Sequence, residues 1–255
     1  MSSPVKKQVA QSWYNTPMKK IILTGATGGL GRHLVHEIHE MTDTQAVCVF
    51  RDREKYDRLF STLTPAPAAY CQQPDDDYQS LLPLLEEGKT ERIILILNAA
   101  SITPIARIGT MRDEDIRAFV AGNITTPLLL LNRVVGFCAE RALPLRVVHI
   151  DSGAADHALQ GWSLYSAAKA SFNAALAVLQ EENPAYEIVS FDPGVMDTDM
   201  QGEIRASAKE IFNRVEDFIR YREEGRLRDP ADVARQIRSR YLDAFTATAL
   251  REKVR

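Results

Sequence analysis

The sequence predicts an α/β fold in which a doubly wound parallel sheet carries helices on both faces. Short apolar runs alternate with longer segments of helical periodicity along most of the chain. The runs are apolar on both faces, as in Arg92–Leu97, which is typical of strands buried on both faces of a parallel sheet. A glycine-rich segment, Thr24–Gly31, joins the first run to the first helical segment and is typical of the first turn of a nucleotide-binding α/β fold.

The elements follow one another as strand and helix. Strands are predicted at Lys20–Thr24, Ala46–Phe50, Ala68–Cys71, Arg92–Leu97, Leu145–Ile150 and Glu187–Phe191. Helices are predicted at Leu30–Glu40, around Glu54–Leu59, at Tyr78–Glu87, at Asp113–Ala139 with an interruption near Pro127, and at Ser163–Glu182. No convincing seventh strand is evident beyond Arg240, so the sheet is expected to lack its C-terminal strand. The charged stretch Arg205–Arg228 predicts solvated helices whose position also suits a lid.

Length and composition favour one soluble domain that acts on a small molecule. The 255 residues suit a flexible extension at 1–17 and a single Rossmann-type domain at 18–255. Residues 1–17 lack the apolar core of a signal peptide, and no apolar run reaches the roughly 20 residues of a membrane span. The net charge of -3 gives no basic field for nucleic acid. Three scattered cysteines indicate a reduced, cytoplasmic protein without a metal site: Cys48, Cys71 and Cys138.

The glycine-rich segment predicts a site for the phosphates of a dinucleotide. Its small residues let the backbone approach a pyrophosphate, and the helix that follows presents unpaired N–H groups at its positive end. The segment fits both the TGxxxGxG and the TGxxGxxG spacing, so it does not separate short from extended dehydrogenases. The candidate cofactor residues in it are Thr24, Gly25, Thr27, Gly29, Leu30 and Gly31.

The end of the second strand predicts the choice of nicotinamide cofactor. Enzymes that prefer NAD usually place an acid there, which accepts hydrogen bonds from the ribose 2′-hydroxyl. Here the place is assigned to Phe50, and Arg51 follows with a cation that can pair with the 2′-phosphate of NADP. NADP(H) is therefore the predicted cofactor. A register shift that put Asp52 at the strand end would reverse this choice.

Tyr165 and Lys169 are the sharpest local signal for catalysis. Residues four apart lie on one face of a helix, so the phenol and the ammonium can share one polar site. The ammonium and the cationic ring of an oxidised cofactor are expected to lower the tyrosine pKa. Ser152, just after the fifth strand, can hold a substrate oxygen, and Asn123 is an amide without an obvious core role in a helical run.

Together these residues resemble the short-chain dehydrogenase/reductase family, from about Lys19 to the low 240s. The segment Asn98–Ser101 is similar to the family's NNAG segment, with Leu97 in place of its first Asn and Ser101 in place of its Gly. The segment Pro193–Thr198 is similar to the family's PGxxxT segment after the sixth strand. The residues that match the family's catalytic tetrad are Asn123, Ser152, Tyr165 and Lys169.

The resemblance implies further contacts with cofactor and substrate. Val195 and Thr198 are implied to contact the carboxamide or phosphate end of the cofactor, and Lys169 to hold its ribose. The other cofactor residues outside the glycine-rich loop are Arg51, Asn98, Ala99, Tyr165, Pro193 and Gly194. The substrate residues are Ser152, Tyr165 and Trp162, although an aromatic side chain near a helix start equally suits a packing role.

Three segments are similar to one branch of the family, the sepiapterin reductases and benzil reductases: Asp151–Ala155, Gly161–Tyr165 and Pro193–Gln201. That branch implies NADPH-dependent reduction of a ketone or diketone, and the family implies a homodimer or homotetramer. The family's adenine-reading Asp after the third strand is not evident, and Gln72 or Asp75 is its candidate replacement. His149, in an apolar strand, is interpreted as a core residue.

Two other functions remain as alternatives. The first is a non-catalytic NADP-binding regulator on the same fold, although such proteins typically lose the tyrosine or the lysine. The second is a nucleotide-sugar epimerase or dehydratase of the extended type, for which the chain is short.

Overall fold

A computed structural model describes residues 18–72 and 77–254, which form a seven-stranded parallel sheet with helices on both faces. The strand order is β3-β2-β1-β4-β5-β6-β7, so the order reverses between β1 and β4 at the centre. A cleft at such a switch point, outside the carboxyl ends of the strands, is where open α/β sheets bind ligands. The strands are β1 Met18–Thr24, β2 Thr44–Phe50, β3 Ala68–Cys71, β4 Thr90–Leu97, β5 Leu145–Ile150, β6 Glu187–Asp192 and β7 Arg251–Lys253. The predicted extension, residues 1–17, lies outside the described residues.

Nine α-helices and several short turns connect the strands in the described chain. The helices are α1 Gly29–His39, α2 Arg53–Phe60, α3 Leu82–Glu86, α4 Asp113–Val120, α5 Thr126–Arg141, α6 Ser163–Glu182, α7 Asp199–Arg205, α8 Val215–Glu223 and α9 Pro230–Ile237. The shorter turns are 3₁₀ at Gln79–Leu81 and Gly153–Ala155, and π at Ala121–Thr125 and Arg238–Leu242.

Neighbouring residues of the central strands point to opposite faces and fill two cores. Ile21 and Leu23 of β1 pack with α1 and α9 on one side, while Ile22 packs with α5 and α6 on the other. A third cluster of buried side chains, around Trp162 and Phe212, lies over the carboxyl ends of the strands. This arrangement explains why the central strands are largely apolar on both faces, and it confirms the predicted fold class.

The expectation that the C-terminal strand is missing was wrong. Arg251–Lys253 pairs in parallel with the end of β6, and Ser190 N donates to the Leu250 carbonyl at 2.7 Å. Buried Arg146 positions the segment before this strand, because its guanidinium donates to three backbone carbonyls. The strand has three residues, and two of them are exposed cations, so it carries no apolar run that the sequence could reveal.

One of two helical predictions was confirmed and the other was wrong in detail. The long helical region is interrupted near Pro127, as predicted, by the π turn Ala121–Thr125. Pro127 itself lies within the first turn of α5, where the missing N–H of proline is tolerated. The stretch Arg205–Arg228 is not wholly solvated, because Phe212 and Phe218 are buried against Trp162. Its helices therefore pack over the site through an aromatic face.

Candidate active site

The glycine-rich loop is a tight turn whose backbone leaves no room for side chains. Gly25 has a φ of +67°, and a Cβ there would lie 2.9 Å from Ala99 Cα. A Cβ on Gly31 would overlap the carbonyl oxygen of Gly25, and one on Gly29 would lie 2.6 Å from Thr198 Cγ2. Within the described residues, no side chain caps α1 and no acid stands in its first turn. The loop therefore presents bare backbone and a helix N-terminus, as an anion requires.

Thr24 connects this loop to the neighbouring strand end. Its hydroxyl oxygen accepts hydrogen bonds from the backbone N–H of Asn98 at 2.9 Å and of Ala99 at 3.0 Å. The Asn98 amide in turn donates to the carbonyls of Thr24, at 3.1 Å, and Gly25, at 3.3 Å. The ends of β1 and β4 are thus fixed against each other at the switch point, and the Asn98 side chain shapes the loop.

The segment Pro193–Thr198 lies against the same loop. Asp192 Oδ1 accepts from the Gly194 N–H at 2.8 Å, and Gly194 has a φ of +73°, which only glycine adopts readily. Thr198 contacts the glycine loop at Gly29. Arg228, which the sequence analysis counted only within a charged stretch, donates to the Pro193 carbonyl at 3.0 Å. No local sequence signal marks this contact, because the two residues are 35 positions apart.

Arg51 follows β2 directly, as predicted, because β2 ends at Phe50. Asp52 caps α2, with its Oδ1 accepting from the Lys55 N–H at 2.8 Å. Arg53 is paired with Asp57 at 3.0 Å. Within the described ranges, Arg51 has no ion pair and its side chain is exposed. Of the side chains of Arg51, Asp52 and Arg53, only that of Arg51 has no partner among the described residues, so its guanidinium can pair with a ligand.

The residues proposed to read the adenine are only partly described. Gln72 directly follows β3, is partly buried, and donates its backbone N–H to the Phe50 carbonyl at 2.7 Å. It therefore lies beside the end of β2, close to Arg51. Asp75, the other candidate, lies outside the described residues.

Tyr165 and Lys169 lie one turn apart on α6, and both are buried. The Lys169 Nζ atom is 5.8 Å from the centroid of the Tyr165 ring and donates to the Ile150 carbonyl at 2.6 Å. Burial lowers the pKa of Lys169 to about 8, although the carboxylates of Asp151 and Asp192 act in the opposite direction. The lysine is therefore within reach of deprotonation near neutral pH.

In the chain by itself the pKa of Tyr165 is raised, so the ammonium of Lys169 alone does not lower it; the lowering expected from the ring of an oxidised cofactor stays a prediction. Burial raises the pKa of Tyr165 to about 12, and a hydrogen bond with the Ser152 side chain opposes this only in part. The negative charges of Asp151 and Asp192 raise it further. Burial dominates because a phenolate loses its hydration in this site. Tyr165 is consequently protonated at neutral pH and adjacent to Ser152.

Asn123 stands in the middle of the π turn Ala121–Thr125. Its Oδ1 accepts from the Ser101 N–H at 2.7 Å, and its Nδ2 donates to the Phe119 carbonyl at 3.2 Å. The side chain thus ties the helical region to the segment that follows β4. Such π turns recur at functional sites, where they reposition a backbone group.

A small cleft brings several of these residues together. Asn123, Tyr165 and Lys169 line it, whereas Ser152 does not. The Ser152 hydroxyl accepts from the Ala154 N–H at 3.2 Å and lies close enough to Tyr165 to lower its pKa. The other lining residues are Leu97, Ala99, Ala100, Pro127, His149, Ala168 and Phe172. Within the described ranges, no group of three or more His, Cys, Asp or Glu side chains is placed to hold a metal ion.

Trp162 and His149 are both buried in the structure. Trp162 is buried, stacks on Phe212 with ring centroids 4.9 Å apart, and meets Tyr165 edge-to-face at 5.7 Å. It therefore packs behind the phenol, which supports the packing interpretation. His149 is a buried core residue, as predicted, and its Nδ1 shares a hydrogen bond with the Ser190 hydroxyl at 2.9 Å.

The chain is similar in sequence to the short chain dehydrogenase family and to two kinds of reductase. The profile of the short chain dehydrogenase family matches residues 19–209. A benzil reductase ((S)-benzoin forming) of Bacillus subtilis (strain 168) is 31% identical over 228 residues, which cover 85% of this chain and 90% of the relative. A sepiapterin reductase of Bos taurus is 28% identical over 196 residues, 71% of this chain and 73% of the relative.

Solved structures share the fold at lower identity. The KRED1-Pglu enzyme superimposes with a TM-score of 0.81 at 23% identity, covering 93% of this chain and 100% of that chain. ElxO with NADP bound gives a TM-score of 0.71 at 17% identity, covering 92% and 95%. At these identities, the likeness concerns the fold.

Proposed function

The chain belongs to the short-chain dehydrogenase family, and on that premise we propose that this oxidoreductase is an NADPH-dependent reductase of ketones or diketones. The observation that carries the proposal is the buried Tyr165–Lys169 pair, which lines a cleft beside the glycine-rich loop. In this proposal the catalytic residues are Asn123, Ser152, Tyr165 and Lys169.

The chain's own residues fit a dinucleotide. Three glycines form a cradle that a Cβ would fill, at Gly25, Gly29 and Gly31, and α1 presents its N-terminus there. The segment Pro193–Thr198 contacts the same cradle through Thr198. When bound, NADPH supplies the hydride that reduces the carbonyl carbon. The protein supplies the proton and the alignment.

The proton comes from Tyr165 in this proposal. Because its pKa is raised to about 12, the phenol carries its proton at neutral pH and can donate it to the carbonyl oxygen as the alcohol forms. Ser152, whose side chain lowers the Tyr165 pKa against the effect of burial, positions that oxygen. Lys169, whose pKa is about 8, holds the ribose and returns a proton to the phenolate, and Asn123 supports a water relay to Lys169.

Arg51 supports NADP(H) over NAD(H). Asp52 is occupied in capping α2 and Arg53 in an ion pair with Asp57, so the ribose is left to face the guanidinium of Arg51. A guanidinium matches a phosphate in charge and geometry, whereas an acid at this place would repel it.

The substrate class is supported by the relatives. Benzil reductase, the relative at 31% identity, is named for a diketone. In this chain, Trp162, Phe212 and Phe218 pack into one aromatic group next to Tyr165. These three rings are buried against one another, so they hold the Tyr165 ring in place beside the cleft.

A substrate panel tests the proposed function. We expect NADPH consumption with benzil, with smaller kcat/KM values for sepiapterin, a quinone and a simple ketone. The measurement is the initial rate of NADPH oxidation, with identification of the alcohol product. Tight NADPH binding without turnover of any carbonyl would instead support the non-catalytic regulator.

We also propose that the protein forms a homodimer through the long helices. The helical stretch Asp113–Arg141 is long and apolar enough to cross a membrane, a property that core helices of soluble proteins share. Within the single chain, 22% of its most apolar 18-residue window is buried. Its inner face packs on the sheet through Leu130 and Val134. Leu129 on α5 and Val178 on α6 stay exposed at 41% and 56%. We expect light scattering to give a dimer mass or a multiple of it; a monomer at micromolar concentration would contradict this.

A further inference from the structure

Strand β7 places two cations against two buried carboxylates at the carboxyl end of the sheet. It pairs with β6 so that Arg251 lies opposite Ser190, and Lys253 opposite Asp192. Arg251 Nη2 is 3.2 Å from Asp151 Oδ2, and Lys253 Nζ is 3.5 Å from Asp192 Oδ2. Each carboxylate therefore has one partner from the same strand.

Both carboxylates lie beside Lys169. Asp151 directly follows Ile150, whose carbonyl accepts a hydrogen bond from Lys169 Nζ at 2.6 Å. Asp151 and Asp192 are 5% and 7% exposed, so water screens their charges weakly. In keeping with this position, both raise the pKa of Lys169 against the effect of burial.

The Asp151 carboxylate is held in a fixed place. Its Oδ2 accepts from Asn173 Nδ2 at 3.0 Å, one helical turn after Lys169, while Asn173 Oδ1 accepts from Ser190 at 2.6 Å. Its Oδ1 is buried without a hydrogen-bond partner in the part of the chain that the structure describes. A buried carboxylate with one unpaired oxygen depends on nearby cations for its charge. The cations that face it are Arg251 and Lys169.

We propose that β7 is an electrostatic part of the active site: Arg251 and Lys253 limit the negative charge that Asp151 and Asp192 present to Lys169. In this way they set how firmly Lys169 holds its proton. Asp151 and Arg251 are then positioning residues, and the inference rests on the proposed function, in which Lys169 returns the proton to Tyr165. The charged and titratable groups around Lys169 are Tyr165 on α6, His149 and Asp151 on β5 and after it, Asp192 on β6, and Arg251 and Lys253 on β7.

The pH profile of kcat for carbonyl reduction tests the inference, because two variants should move it in opposite directions. The rate should fall at alkaline pH as Lys169 loses its proton. Asp151→Asn keeps the shape and the acceptor oxygen but removes the negative charge, so the alkaline limb should move down by about one pH unit. Arg251→Gln removes the cation that offsets Asp151, so the alkaline limb should move to higher pH, by at most about one pH unit.

Asp156→Asn is the matched control. Asp156 pairs with the same guanidinium, at 2.7 Å from Arg251 Nη2, but it is exposed, so water screens its charge. This variant should leave the alkaline limb in place. The inference would be overturned if Asp151→Asn and Arg251→Gln moved the alkaline limb in the same direction, or if neither variant moved it.

A second readout separates this inference from the proposed function. If the wild type reduces no carbonyl, the proposed function fails, but NMR titration of ¹⁵N-labelled lysine side chains still reports the Lys169 pKa in each variant. If Asp151→Asn does not fold, as judged by circular dichroism, Arg251→Gln and Lys253→Gln carry the test, since both side chains are partly exposed. Each should raise the Lys169 pKa; an unchanged value would overturn the inference.

Discussion

Replacing Tyr165 with Phe is expected to lower kcat by about 10²–10⁴-fold while leaving the NADPH Kd nearly unchanged. The substitution removes only the hydroxyl, which is the proposed proton donor. Its ring remains, so the edge-to-face contact with Trp162 and the packing of α6 are kept. Ser152 cannot take over the donation, because an aliphatic hydroxyl is a far weaker acid than a phenol.

Steady-state kinetics and a fluorescence titration of NADPH measure the two quantities separately. Tyr186→Phe is the matched control, because Tyr186 directly precedes β6 and so lies at the opposite end of the sheet from the cleft. It should leave kcat within about twofold of the wild type. A Tyr165→Phe enzyme that retained more than about a tenth of the wild-type rate would show that another group donates the proton.

The sequence predicted those elements whose pattern lies within one short stretch of neighbouring residues. The strand Arg92–Leu97 is apolar on both faces, and burial on both sides of a parallel sheet requires that pattern. The loop Thr24–Gly31 combines glycines with a strand before it and a helix after it, and its close approach to Ala99 and Thr198 explains those glycines. Tyr165 and Lys169 share a helix face, so their spacing alone brings them together.

The features that the sequence did not predict depend on contacts between distant residues. The charged strand β7 is held by backbone pairing with β6 and by the buried Arg146, neither of which leaves an apolar pattern in Arg251–Lys253. The direction of the Tyr165 pKa shift followed from burial among Trp162, Phe212 and their neighbours, which sequence spacing does not measure. Pro127 indicated an interruption nearby, but the π turn that forms it precedes the proline, which fits the first turn of α5 without a break.

The cofactor preference is expected to depend on Arg51. If its guanidinium pairs with the 2′-phosphate, the wild type should prefer NADPH over NADH by about 10- to 150-fold, since a charge-assisted pair contributes about 1.5–3 kcal/mol. Arg51 is exposed, so solvent screening moves the expected value toward the lower end of that range. Higher salt should weaken the preference further, because ions screen a surface pair.

Arg51→Ala should weaken NADPH and leave NADH little changed, because NADH has no phosphate for the guanidinium to contact. Arg53→Ala is the matched control, since the Arg53 side chain is paired with Asp57 at 3.0 Å, and it should change the ratio less. The Arg51/Arg53 double variant shows whether Arg53 shares the phosphate. The measurement is the ratio of kcat/KM for the two cofactors at low and moderate salt. A wild type that prefers NADH would contradict the proposal and would require Asp52 to leave its cap on α2 and face the ribose.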